Sequence, residues 1–433
     1  MRTERDFAAA ARLQLLTANE WKDGLRKFNN GNVIPQLANV IHALKNAPEL
    51  AGVVAFDDFG LRVVTKRPAP WHSKPGEVWN DNDDRKLAEW CQHNGINIGM
   101  ELAANAVQAV ASENRFHPLR DWLTALEWDR VPRLDDFATS HLGADATPFH
   151  QTAASKFLIS AVARVLSPGV KADAILVLEG PQGALKSSAA RVLFQPHFTD
   201  HLPDLHSKDA FLQLAGAWGV EISELSALGR SSVERVKGFL SASVDRYRPP
   251  YGKRVIEVPR QCVFVGTTNA DGYLMDETGG RRFWPIKVGR IDLKRLVRDR
   301  DQLFAEAVVR FRADEPWWLT DTTINRAADD AQRERFAADA WHEVVGDWLA
   351  DPEQRRDETG HPVTPYSSSK DSVSVPDVLV HAVGKRIDAW TQADANRVAR
   401  TLRALGWERV RRRENGALVW RYVPTVPTTE ACQ

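Results

Sequence analysis

The chain has 433 residues, 43% of them hydrophobic and 26% charged, a globular composition with room for roughly two to four domains. Its 57 lysines and arginines balance 57 aspartates and glutamates, so no global field draws it to a polyanion and any basic surface is local. Three cysteines are too few and too scattered for a disulfide framework or a thiolate zinc site, no apolar run approaches membrane-spanning length, and the acid-bearing start Met1-Arg2-Thr3-Glu4-Arg5-Asp6 is no secretion signal, which together predict a cytoplasmic protein.

Residues 1–111 read as a small α+β domain. Val53-Val54-Ala55-Phe56 and Leu61-Arg62-Val63-Val64 flank Asp57-Asp58-Phe59-Gly60, the pattern of a hairpin. Helices are expected from Asp84 to Trp90 and from Glu101 to Ala111. Asp57 and Asp58 are turn aspartates far more readily than a metal pair. Cys91 and Cys262 sit in apolar surroundings and read as core thiols.

Residues 112–170 predict a helical domain that feeds the next one. His117-Pro118 opens a helix to Leu126, and Phe157, Leu158, Ala161 and Val165 keep helical spacing between Phe149 and Leu166. Ser167-Pro168-Gly169 breaks the pattern.

Residues 171–315 carry the chemistry. Ala174-Ile175-Leu176-Val177-Leu178 reads as a buried strand. It runs into Gly180-Pro181-Gln182-Gly183-Ala184-Leu185-Lys186-Ser187-Ser188, and a helix can follow from Ala189. Strand, glycine-bearing turn, Lys-Ser and helix make the setting of a phosphate-binding loop. Backbone N–H groups from Gly180, Gln182, Gly183, Ala184 and Leu185 would curl around phosphate, helped by the helix N-terminus at Ser188. Lys186 would reach the β- and γ-phosphates and Ser187 would hold magnesium. Leu185 stands where the pattern expects its last glycine. Further on, Trp218-Gly219-Val220-Glu221-Ile222-Ser223-Glu224 is a short strand ending in acids; Glu221 or Glu224 would polarise water and hold magnesium through water. Lys237 and the run Arg246, Arg248, Lys253, Arg254, interleaved with tyrosine and proline, suit a loop or hairpin that neutralises phosphates and stacks on unpaired bases. Arg260 to Asn269 is a buried strand with a polar end, where Asn269 can sense a γ-phosphate. Gly279-Gly280-Arg281-Arg282 offers Arg281 or Arg282 as an arginine finger donated across a subunit interface. His197, His201 and His206, among Asp200, Asp204 and Asp209, match no familiar closed metal site.

Residues 316–372 hold a helix around Trp341, Val344, Val345 and Trp348, then a polar linker. Residues 373–433 read as a winged-helix-like unit with a short tail. Ser374-Val375-Pro376-Asp377 and Thr391-Gln392-Ala393-Asp394 each open a helix with a cap, and Gly406 stops the second. Two strands turn around Glu414-Asn415-Gly416. Arg397 on the helix and Arg411 and Arg412 on the hairpin suit a contact with duplex DNA.

The ordered set of phosphate loop, strand-end acid, basic hairpin, strand-end asparagine and arginine turn resembles the superfamily 3 helicases of the AAA+ class. More closely, it resembles the virulence-associated E family of phage and mobile-element primase-helicase ATPases. The matching stretches are Leu178–Ser188, Trp218–Leu225, Lys237–Arg254, Cys262–Asn269 and Gly279–Pro285, with Glu113–Pro118 and Leu126–Asp129 upstream. The resemblance implies an α/β protein with an AAA+ P-loop core. It implies a ring, usually a hexamer, that hydrolyses ATP with Mg2+ at subunit interfaces and draws a single DNA strand through its centre. Lys186, Ser187, Glu221 or Glu224, Asn269 and Arg281 or Arg282 take the corresponding roles. Leu185 departs from the family loop, and no aspartate pattern suggests a polymerase site, so a primase is expected to be absent or a separate chain. A replication initiator with ATP as a switch, a protein-remodelling ATPase and an anti-phage defence ATPase are the alternative readings.

Overall fold

The computed structural model describes residues 20–72, 74–200, 212–223, 238–248, 254–269, 282–334, 340–350, 372–414 and 417–425. The chain divides into two compact units, Met1–Glu334 and Arg335–Gln433.

The first unit opens with a small α+β layer. After a 3-10 turn, α1 (Leu37–Asn46) precedes the hairpin β1 (Val54–Asp57) and β2 (Arg62–Thr65). Helices α2 (Asp81–His93) and α3 (Met100–Glu113) pack against it, and β3 (Arg115–Phe116) adds a parallel edge to β1. Asn80 and Asp83 form the capping box that starts α2. Leu44, Leu50, Val54, Leu87 and Ile96 fill this core, and Cys91 lies within it, its thiol pKa pushed up to about 12 by burial. Asp57 accepts from the backbone N–H groups of Phe59 and Gly60, the local turn bond that its type favours. That turn places Phe59 in the core of the next layer, where its carbonyl accepts from Gly216 N at 3.0 Å.

The next layer is a parallel sheet. Helices α4 (Pro118–Ala125), α5 (Phe137–Ser140) and α6 (Pro148–Leu166) lead to β4 (Ile175–Glu179) and α7 (Lys186–Phe194). His117 and Thr147, each followed by proline, cap α4 and α6 with their side chains. The remaining strands are β5 (Phe198–Thr199), β6 (Gly219–Ile222), the separate hairpin β7 (Val244–Tyr247) and β8 (Ile256–Pro259), then β9 (Val263–Thr268) and β10 (Phe283–Lys287). The five sheet strands lie in the order β10-β4-β9-β6-β5, every pair parallel. β9, late in sequence, is thus inserted between β4 and β6. The sheet is buried on both faces, as a parallel sheet must be, so its strands read as continuous apolar runs. Along β4, Leu176 and Leu178 face one core while Ile175 and Val177 face the other.

The first of those cores rests on aromatic packing. Trp218 lies 4.5 Å from Phe304 and 5.1 Å from Phe194, and its indole N–H donates to Ala161 O at 3.0 Å. Gly219 makes this possible, because a Cβ there would stand 2.2 Å from the Phe194 ring. Phe304 comes from α8 (Leu293–Arg312), which crosses the same face. α9 (Thr322–Glu334) follows, so the stretch 316–334 holds a helix beyond the one expected near Trp341. Asp321 starts α9 by accepting from the N–H groups of Thr323 and Ile324. The stripe it packs against the core, buried Ala328 with half-buried Ile324, Ala327 and Ala331, is made mostly of alanine, a weak periodic signal.

The second unit holds α10 (Ala340–Ala350), α11 (Val375–Asp377), α12 (Gln392–Ala404) and the antiparallel ribbon β11 (Trp407–Glu414) and β12 (Ala417–Pro424). Both expected capping boxes are present, Ser374 with Asp377 and Thr391 with Asp394. The first opens only one α turn before the chain widens into a π turn from Val378 to Ala382. Val345, Trp348, Leu379, Val398, Leu402 and Tyr422 make the core. Among the described residues no helix is long and apolar enough to cross a membrane.

One of the buried charges in the first unit is Arg260, 2% exposed, whose guanidinium pairs with both oxygens of Asp245 and donates to Phe239 O. This arginine, in the link from β8 to β9, ties that link to β7. Asp245→Ala should strand the buried guanidinium and cost about 3–5 kcal/mol, and Asp245→Ala with Arg260→Met should recover much of that. Urea denaturation of the three proteins measures both steps.

Candidate active site and basic surfaces

Three adjacent parallel strands, β4, β9 and β6, end side by side, and their carboxyl ends carry the polar residues. The loop Gly180–Leu185 leaves β4 and starts α7. Gly183 adopts φ +83°, which glycine takes without strain. Leu185 adopts φ +64° and ψ +23°, the left-handed conformation that a glycine would normally supply, with its side chain exposed. The loop therefore keeps its shape at a backbone cost of roughly 1–2 kcal/mol, and the side chain points into no core.

Lys186 begins α7 and is buried. Its ammonium donates to Gly180 O at 2.7 Å, Pro181 O at 2.8 Å and Asn269 Oδ1 at 2.8 Å, which uses all three donors. Burial lowers its pKa from the ordinary lysine value, and the nearby Glu221 charge opposes that shift.

Glu221 lies inside β6 and is 1% exposed. Its Oε1 accepts from Ser187 Oγ at 2.6 Å and from Thr267 Oγ1 at 2.7 Å. Its Oε2 is buried and has no hydrogen-bond partner among the described residues. A buried carboxylate oxygen without a partner is costly, and beside a serine hydroxyl at a helix N-terminus it fits a hydrated divalent cation. Two chains of contact thus meet across the strand ends: Lys186 with Asn269, and Ser187 with Glu221 and Thr267. Sequence reasoning gives Thr267 no role; its place in the polar end of β9, two residues before Asn269, is the signal that could have found it.

Glu224 and Arg281 lie outside the described residues, as do Lys237, Lys253, His201 and His206. Arg282 is held within its own chain, with Nε 3.3 Å from Asp173 Oδ2 and 3.1 Å from Ser241 Oγ. His197 stands edge-on to Phe59 at 4.9 Å, and burial lowers its pKa. Asp200 pairs with Arg191 at 2.5 Å.

The basic residues fall on three elements. On the β7–β8 hairpin Arg246 makes a cross-strand pair with Glu257 at 2.6 Å, while Arg248 and Arg254 are exposed where the strands end. On α12 the Arg397 guanidinium lies 4.0 Å from the Trp341 ring centre, a packing role as well as a charge. On β11 Arg411 and Arg412 are both exposed and point to opposite faces of the ribbon.

Residues 123–337 match the family model of the virulence-associated protein E-like domain. No curated protein matches the sequence. The solved structures similar to this chain include the apo structure of the NrS-1 C-terminal region (305-718), at a TM-score of 0.47 and 11% identity, covering 86% of this chain and 95% of that one. The A form apo structure of the same region gives a TM-score of 0.46 and 10% identity, covering 86% and 96%.

The left-handed backbone at Leu185 predicts an order of stability. Leu185→Gly should exceed Leu185→Ala by about 1 kcal/mol, since alanine keeps the strain and glycine releases it. Equilibrium denaturation of the two variants reads this directly. Its central stretch, residues 123–337, thus carries a virulence-associated protein E-like domain.

Proposed function

We propose that the chain is a magnesium-dependent ATPase of the AAA+ class that drives movement along DNA during replication of a phage or mobile element. The observation that carries this reading is the pair of hydrogen-bond chains across three parallel strand ends, Lys186 to Asn269 and Ser187 to Glu221 to Thr267. A loop that offers backbone N–H groups and a lysine suits the β- and γ-phosphates. Magnesium, when bound, neutralises developing charge on the phosphoryl oxygens. Ser187 and Glu221 would hold it, Glu221 through water, consistent with the partnerless Oε2.

Within this reading each residue has a separate task. Lys186 exchanges its protein acceptors for phosphate oxygens. Glu221 accepts hydrogen bonds from the attacking water and polarises it. Thr267 fixes the carboxylate, and Asn269, released by the lysine, orients the γ-phosphate. Arg282 is engaged by Asp173 and Ser241 of its own chain, which favours Arg281 as the finger donated to a neighbouring subunit. A homo-oligomeric ring, a hexamer by family resemblance, follows from a finger acting in trans. Arg246, Arg248 and Arg254, with Lys237 and Lys253, would grip a single strand. The second unit would serve as a winged-helix-like contact with DNA through Arg397, Arg411 and Arg412.

Steady-state ATP hydrolysis, measured with and without single-stranded DNA, tests the proposal. Stimulation by DNA is expected in the wild type. Lys186→Ala should abolish hydrolysis, and Glu221→Gln should keep ATP binding while losing at least about a hundredfold in turnover. Wild-type turnover in Lys186→Ala would refute the site; hydrolysis indifferent to DNA would refute the motor. Arg281→Ala mixed into wild-type protein should reduce activity more than in proportion to its fraction, whereas linear dilution would refute a finger in trans.

A further inference from the structure

The β11–β12 ribbon carries a surface that the phosphate-contact reading leaves unexplained. The register places Arg409, Arg411 and Arg413 on one face with Tyr422, Trp420 and Leu418. Near the unit's core this face is covered: Tyr422 is 2% exposed, and its backbone pairs with Val373. Toward the turn it is open, with Trp420 45% exposed and Leu418 66% exposed. Trp420 is not a stray hydrophobe, because the Arg409 and Arg411 guanidiniums lie 4.1 Å and 4.7 Å from its ring centre.

The charges here also lack opposition. Glu414 on the same ribbon is spent on Arg421, which also pairs with Asp377. Among the described residues, none of Arg409, Arg411, Arg412 and Arg413 has a carboxylate within ion-pair distance. In a chain of zero net charge, three such arginines on one face of the ribbon, with Arg412 on the other, mark a local site for a polyanion. Phosphate binding alone explains the arginines. It does not explain an exposed indole and leucine among them, which gain nothing from a solvated sugar-phosphate backbone. Base faces satisfy both needs, since they stack on an indole or on a guanidinium plane while their phosphates meet neighbouring arginines.

We propose that the outer face of the β11–β12 ribbon binds unpaired nucleotides, with Trp420 and the guanidiniums of Arg409 and Arg411 forming one stacking layer. The proposal rests on the nucleic-acid reading of the second unit and does not need the ATPase. It changes the expected ligand there from intact duplex to a single strand or an opened end.

The test is photocrosslinking of the full chain to a single-stranded oligonucleotide substituted with bromodeoxyuridine, with the labelled peptides mapped by mass spectrometry. A crosslink at Trp420 is expected, lost in Trp420→Leu and kept in Trp420→Phe. In binding titrations with the same strand, Trp420→Ala should weaken affinity about tenfold without changing the salt slope, since it removes no charge. Arg411→Ala with Arg413→Ala should lower the slope by about 0.7 for each phosphate no longer neutralised. Labelled peptides confined to the first unit would overturn the stacking site while leaving DNA binding intact. A blunt, fully paired duplex that protects Trp420 as well as the single strand does would overturn it too. No retention of either DNA at low salt would overturn the nucleic-acid reading and this site with it.

Discussion

One carboxylate oxygen holds the strand ends together. Glu221 Oε1 takes hydrogen bonds from the first turn of α7 and from the end of β9, so three elements far apart in sequence converge on one atom. The burial of Glu221 makes that convergence stringent, because a charge in this position must be fully partnered or matched by a cation. The parallel sheet supplies the rest: with all strands running one way, every loop that can carry chemistry emerges at the same edge.

Much of this is legible in the sequence because the signals are local. The apolar run before Gly180 and the Lys-Ser after it stand within a dozen or so residues of each other. Proline and threonine at the head of α6, and the Ser374–Asp377 and Thr391–Asp394 boxes, announce their helices through bonds spanning three residues. The α/β class follows from the same alternation. The insertion of β9 between β4 and β6 is not legible, since strand order is decided by packing on both faces and leaves no periodic mark. Nor are the partners of Glu221: the two hydroxyls that donate to it come from β9 and α7, dozens of residues away on either side.

The arginines show the limit of reading charge from sequence. Arg282 suits donation to another subunit by its glycine-tethered setting, yet it pairs with Asp173, more than a hundred residues earlier. Arg246, in a basic run, is paired across its hairpin, and the Arg397 guanidinium lies 4.0 Å from the centre of a tryptophan ring. Conversely, Trp420 carries no signal in sequence because a lone aromatic in a strand normally faces the core. Only the register shows that its face outruns the core that covers Tyr422.

The three bonds made by Lys186 set a threshold. An arriving anion meets an ammonium already saturated by two carbonyls and an amide, so it must return more than it displaces. A lone inorganic phosphate has few other contacts with which to make up the difference. A longer polyphosphate, lying along the loop, has many. If the loop takes phosphate as proposed, it would sort ligands by the number of contacts they make at once, and its bonded lysine would stay out of reach of small anions.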